Sequence, residues 1–162
     1  MSDIKSPEER SKNMAAIKSK DTKPEEYVRK KLFADGFRYR KNDKRYPGKP
    51  DIVLPKYNTI VFVHGCFWHQ HVGCKESHIP KSRSDYWASK LKRNVERDIV
   101  QQELLQKSGW HVIVVWECEL STKEKRDSRI NLLEEEIMKQ RINCVTQTIG
   151  YELNSLQEHS CN

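Results

Sequence analysis

Apolar positions in this chain change their period several times, and each change marks an element. Between Glu25 and Ala34, Tyr27, Val28, Leu32 and Phe33 fall at helical spacing. Thr22, Lys23 and Pro24 form the helix entrance and Gly36 its stop. The period then shortens. "FRYRKN" (37–42) alternates and predicts a strand, "YPGKPD" (46–51) predicts a turn, and "IVLP" (52–55) a short apolar strand. After a turn at Tyr57 and Asn58, the β-branched run "TIVFVHG" (59–65) predicts another strand. Residues 75–83 read as loop. From Ser84 a long helix is expected, with Trp87, Leu91, Val95 and Ile99 recurring every four residues. Leu104 and Leu105 continue it and Gly109 ends it. "HVIVVWE" (111–117) is the most strand-like segment. A charged helix from Lys123 to Gln140 follows, with Ile130, Leu133, Ile137 and Met138 on one side. Beyond Cys144 there is no clear pattern.

Helix, strands, helix, strand, helix predicts an α/β sandwich around a mixed sheet, with no internal repeat. At 162 residues the chain reads as one domain, 23–162, preceded by a basic arm, 1–22. The arm carries Lys5, Arg10, Lys12, Lys18 and Lys20 and little to bury. Thirty Lys and Arg against 23 Asp and Glu leave a net charge of +7, which suits a polyanion such as nucleic acid as well as a merely basic surface. The first residues contain no apolar core of a secretory signal, and no stretch approaches the roughly 20 apolar residues of a membrane span. A cytoplasmic protein with no membrane partner is therefore expected. In such a reducing compartment five cysteines argue against a disulfide framework and leave metal binding open.

The chemistry gathers at "HGCFWHQHVGC" (64–74). Cys66, His71 and Cys74, with Cys118 at the end of the last predicted strand, offer the thiolate and imidazole donors of tetrahedral zinc. Brought together by adjacent strand ends, they would make a closed, structural site. Free thiols around a buried Cys118 are the plainer alternative, and spacing alone does not decide which histidine binds. Asp51, at the mouth of a predicted strand, can hold Mg²⁺ through oxygen or water ligands, or simply serve the turn after Gly48, Lys49 and Pro50. Many DNA-cutting nucleases carry such an acid on one strand and Glu-x-Lys on the next. Here Phe62 and His64 occupy those two places, so an imidazole replaces the cation. His64 or His69 can take a proton near neutral pH. Glu25 can support a metal-bound water or orient an imidazole, although a first-turn acid is ordinary helix-dipole complementation. Phe67 and Trp68, in a polar loop, are either core plugs or wedges between base pairs, and Trp87 shares both readings. "RSKNM" (10–14) presents Arg10, Lys12 and Asn13 for phosphates and Met14 for insertion, or is a plain basic tail.

"RSKNM", "KDT" with Glu25 soon after, "PGKPD", "HGCFWHQH", "NVERD" and "GWHVIVVWEC" stand together in order over about residues 8–120. In that combination the chain resembles the very short patch repair (Vsr) endonucleases, which nick DNA at T:G mismatches left by 5-methylcytosine deamination. The resemblance implies a restriction-endonuclease-type α/β/α fold, Mg²⁺-dependent cleavage and a structural Zn²⁺. It implies that Asp51 and the Val63 carbonyl hold the magnesium, and that His64 and His69 are catalytic, with His69 as base and Glu25 in support. Cys66, His71, Cys74 and Cys118 would be the zinc ligands. Phe67, Trp68 and Trp87 would form the wedge, with Met14 entering from the opposite groove. The implied partner is double-stranded DNA carrying a T:G mismatch; mismatch-repair proteins and a linked cytosine-5 methyltransferase are candidate further partners, and a monomer is expected since cutting one strand needs only one active site. Two departures stand out. The gap between His71 and Cys74 holds two residues where a well-studied relative has one, and Val63 replaces a hydroxyl residue. Cleavage of matched DNA by a restriction-type enzyme, or DNA binding without catalysis, are the rival expectations.

Overall fold

The computed structural model describes residues 6–16 and 20–158, with side chains at 7, 10, 11, 14, 15 and beyond 141 outside that description. Four strands form one mixed sheet in sequential order: β1 (Arg40–Lys41), β2 (Ile52–Leu54), β3 (Thr59–His64) and β4 (His111–Trp116). β1–β2 and β2–β3 are antiparallel, joined by turns, whereas β3 and β4 are parallel. A parallel pair needs a long crossover. It is supplied by residues 65–110, which contain the cysteine–histidine loop and the helix α3 (Ser84–Lys107).

The remaining helices are α1 (Pro7–Ala16), α2 (Lys23–Ala34) and α4 (Lys123–Glu158). Side chains of successive strand residues point to opposite faces, so β3 feeds two cores. Val61 and Val63 pack with Val28 and Leu32 of α2 and with Ile130, Leu133 and Ile137 of α4. Ile60 and Phe62 pack on the other face with Leu105 of α3. The sheet is thus covered on both sides, which is why β2 and β3 are buried throughout. By the same alternation His64, last residue of β3, comes out on the α3 side.

Several expectations need correction. The strand expected over 37–42 is only Arg40–Lys41, because Phe37 turns into the core instead of alternating and the partner β2 is three residues long. Pro55 and Glu117 each begin a 3₁₀ turn, so they fall outside their strands. On α3 the four-residue stripe is not a continuous core seam. Leu91 is buried, but Ile99 is 52% exposed, and the helix seals its sheet contact through Leu105. On α4, Met138 is 43% exposed and lies off the buried face of Ile130, Leu133 and Ile137. That helix also runs well past Gln140, to Glu158. The expected arm contains α1, on which Lys12 and Asn13 are exposed, while the side chains of Arg10 and Met14 lie outside the described residues. Among the described residues no helix is long and apolar enough to cross a membrane.

Candidate active site

The turn "PGKPD" works through its glycine. Gly48 has φ +77, and a Cβ there would meet Gln101 Oε1 at 2.9 Å and the Phe62 ring at 3.2 Å. The backbone can therefore press against β3 and α3 and deliver Asp51 to the start of β2. Asp51 Oδ2 accepts a 2.7 Å hydrogen bond from the Val63 backbone N–H on the neighbouring strand. The contact made by Val63 is thus through its amide. Burial pushes the Asp51 carboxyl up from 3.8 to about 6, and Glu25 nearby pushes the same way, against the pull of the Val63 N–H, Arg29 and His69.

Asp51, Glu25, Val63, His64 and His69 line one cleft of 960 Å³ between α2, the strand ends and α3. The His64 and His69 rings stack with centroids 3.8 Å apart and planes 10° off parallel. Burial, followed by the neighbouring His69 ring, depresses His64 to about 3, so it is a neutral imidazole across the neutral range. His69 Nδ1 hydrogen-bonds Asp98 Oδ2 on α3. A carboxylate can only accept, so Nδ1 carries a proton, and in the neutral ring Nε2 is the nitrogen with the lone pair. Glu25 is buried, but both its oxygens are engaged at the helix entrance. Oε1 accepts from the Thr22 hydroxyl and Oε2 from the Asp21 N–H, each at 2.8 Å. The plain helix-start role is therefore real, and it coexists with a place in the cleft wall.

The loop after β3 turns tightly, with His69 N–H bonded to the Gly65 carbonyl and His71 N–H to that of Cys66. This brings Cys66, His71, Cys74 and Cys118 together, with one donor atom from each within 4.8 Å of the others. His71 Nδ1 lies 3.7 Å from Cys66 Sγ and 3.3 Å from Cys118 Sγ. Tetrahedral zinc with bonds of about 2.0–2.3 Å sets its ligand atoms about 3.3–3.8 Å apart, so this donor set fits the metal in both chemistry and spacing. His71 stacks flat on Trp116 at 4.2 Å, which fixes its ring. The wider His71–Cys74 gap is absorbed by an outward turn. Val72 is exposed at its tip, Gly73 adopts φ +74, and the Cys74 N–H returns to the His71 carbonyl. Burial pushes the Cys66 thiol up to about 12.

Phe67, Trp68 and Trp87 form a half-buried cluster with centroids 5.1–6.0 Å apart, and they belong to neither core. Tyr86 extends it at 5.4 Å from Trp87, and the Lys90 ammonium lies 5.5 Å from both the Trp68 and Trp87 rings. Asn94 Nδ2 donates to the Trp68 carbonyl and anchors the loop to α3. Sequence reasoning missed Asp98, Asn94 and Lys90. Their spacing of four residues was the available clue, since it lines up one polar face of α3 against the loop.

The Asp51 shift has a testable consequence. The native carboxyl holds its proton more tightly than the unfolded one, so its contribution favours folding most below about pH 4 and fades as pH rises through about 6. Without added magnesium, the stability of the protein relative to Asp51→Asn is expected to fall by up to about 3 kcal/mol between pH 4 and 7. Urea unfolding of both proteins across that range checks this, and parallel pH profiles would contradict it.

A family model described as DNA mismatch endonuclease Vsr matches residues 2–76. The type II nicking enzyme V.NmeAIP of Neisseria meningitidis serogroup A is 58% identical over 137 residues, 85% of this chain and 97% of the relative. The type II nicking enzyme V.XorIIP of Xanthomonas oryzae is 46% identical, covering 83% of this chain and 98% of its own. The DNA mismatch endonuclease Vsr of Escherichia coli is 42% identical over 125 residues, 77% of this chain and 80% of its own. Identity of that level across most of both partners places the protein in the Vsr family of DNA endonucleases.

Proposed function

We propose that this endonuclease nicks one strand of double-stranded DNA beside the thymine of a T:G mismatch, on a restriction-endonuclease-type scaffold. The observation that carries the reading is adjacency. A single loop, 65–74, holds His69 in the cleft that Asp51 lines while it presents Phe67 and Trp68 in the aromatic cluster. Aromatics that enter the stack open a wobble pair at less cost than a Watson–Crick pair, and the scissile phosphate beside it then reaches the cleft. Asp51 and the Val63 carbonyl would hold Mg²⁺, which when bound polarises the phosphate and stabilises the leaving 3′ oxygen. His69 takes the proton of the attacking water at Nε2, and Asp98 holds that imidazole in the required tautomer and steadies its charge. His64, uncharged, stacks on His69 and fixes its plane. Cys66, His71, Cys74 and Cys118 would hold a structural Zn²⁺ that braces the loop. Arg10, Lys12, Asn13 and Met14 on α1 would grip the opposite groove. One cleft per chain suffices for one nick, so the enzyme acts as a monomer. Its setting would be the cytoplasm beside a cytosine-5 methyltransferase and mismatch-repair proteins.

Labelled T:G and matched duplexes, incubated with Mg²⁺ or chelator and resolved on a denaturing gel, test the reading directly. One-strand cleavage of the T:G duplex with Mg²⁺ alone is the expected result. Double-strand cleavage of matched DNA, or binding with no cleavage, would each overturn it. In the same assay Asp98→Asn should slow nicking by about 10²-fold, the usual worth of an aligned general base. A wild-type rate for that variant would put the base elsewhere.

A further inference from the structure

One buried charge takes no part in these steps. Arg29 on α2 is 5% exposed, and its guanidinium lies behind the acidic wall of the cleft. Nη2 donates to Asp21 Oδ1 at 2.7 Å. Nη1 stands 3.7 Å from Glu25 Oε2 and has no hydrogen-bond partner among the described residues. Asn42, just beyond β1, donates through Nδ2 to the same Asp21 oxygen at 3.3 Å. Asp21 has a left-handed backbone, φ 53, which a non-glycine residue holds only when its surroundings fix it. Its N–H is in turn one of the two donors that hold Glu25.

An arginine is rarely buried unless acids pair with it. The acids here, Asp21 and Glu25, line the cleft together with Asp51. With Asp98, four carboxylates line this cleft, and a cation directly behind Asp21 and Glu25 offsets the repulsion between those two and fixes where they sit. The planar fork of arginine aims donors at two carboxylates in a fixed geometry, whereas an ammonium is a compact charge with rotatable donors. Resting on the reading of this cleft as the nicking site, we infer that Arg29 is a positioning residue. It ties Asp21 and Glu25 into one unit and holds the Glu25 carboxylate in the cleft that Asp51 lines. The field of Arg29 also reaches Asp51, where it favours the ionised form.

The test is a double-mutant cycle of Arg29→Met, which keeps the bulk of the side chain, with Glu25→Gln. Single-turnover nicking of the T:G duplex at saturating enzyme is expected to slow about 10–100-fold in Arg29→Met, as for other residues that orient a site from behind. Duplex affinity in chelator should stay as in wild type. Adding Arg29→Met to Glu25→Gln should cost little more, because both remove one interaction. If Arg29 only supports the fold, the two losses multiply, and rate falls only with the folded fraction seen by thermal melting. Multiplying losses, or a wild-type rate for Arg29→Met, overturn the inference. Should Arg29→Met fail to fold, Arg29→Lys carries the same cycle, keeping the charge but losing the fork. The parent reading is separable: nicking by Asp51→Ala would sink it, whereas full-rate Arg29 variants beside a dead Asp51→Ala sink only the role of Arg29.

Discussion

Asp51→Ala is expected to abolish nicking, a fall of at least about 10³-fold, while mismatch binding persists. The size follows from the chemistry. A metal clamp on a transferring phosphate is worth several kcal/mol, and each 1.36 kcal/mol is a factor of ten in rate. The specificity of the effect follows from the structure. Asp51 accepts the Val63 N–H and lies in the cleft, away from the aromatic cluster, so its loss leaves the wedge intact. Nor should the variant unfold. The native carboxyl, pushed up to about 6 by burial, is a desolvated charge at neutral pH, and removing it relieves that cost at the expense of one hydrogen-bond acceptor. Melting temperature at pH 7.5 without added magnesium should therefore equal or exceed that of wild type. The measurement is single-turnover nicking of a T:G duplex beside gel-shift binding in chelator. A wild-type nicking rate would remove Asp51 from the active site. A parallel loss of binding would mean that the carboxylate serves the fold.

The fold was legible where periodicity was strong and local. β3, β4 and the span of α3 follow from β-branched runs and from Gly109 as a stop. What failed depended on partners. Whether "FRYRKN" pairs over six residues or two is decided by β2, and β2 is cut short by Pro55, which cannot donate to the ladder. The apparent core stripe of α3 is divided between two neighbours and the surface. Leu105 meets the sheet, Trp87 joins the aromatic cluster, and Ile99 faces outward. Such a division is invisible in a single helical period.

The candidate site divides the same way. Its clustered half, residues 64–74, announces itself by composition, since no strand or loop needs three histidines and two cysteines in eleven positions. Asp51 needed the turn before it and the strand after it to stand out. Asp98 stood inside "NVERD" and on a four-residue polar face but carried no role there, and Arg29 gave no signal, because each is an ordinary charged residue on a charged helix until packing sets it against His69 or Glu25. Burial at the end of β3 holds His64 neutral, and the buried cation that pairs with Asp21 and Glu25 is Arg29 behind them.

Removing the metal from the cysteine–histidine loop should be the most damaging single change to stability. Purified protein is expected to carry one zinc per chain, and Cys118→Ser to lose most of it. Cys118 is the informative ligand. Cys66 is 1% exposed, so its replacement would disturb packing as well. Cys118 instead lies half-buried on the turn after β4, 47 residues from His71 in sequence. It is the link that closes the loop onto the sheet. Structural zinc contributes about 10–16 kcal/mol in small zinc-folded domains, so weakening one of four ligands should cost several kcal/mol. In a domain of this size each kcal/mol moves the melting point by about 2–4 °C, which predicts a fall of about 10 °C or more. The loop that ties Phe67 and Trp68 to His69 would loosen with it, so preference for T:G over matched duplex should drop together with the nicking rate. Metal analysis, melting curves and thiol titration with and without chelator check the chain of argument. Cys66, Cys74 and Cys118 should react only after chelation. A zinc-free wild-type protein, or a Cys118→Ser variant that melts as wild type does, would dissolve the metal centre and leave three ordinary thiols, one buried and two half-buried.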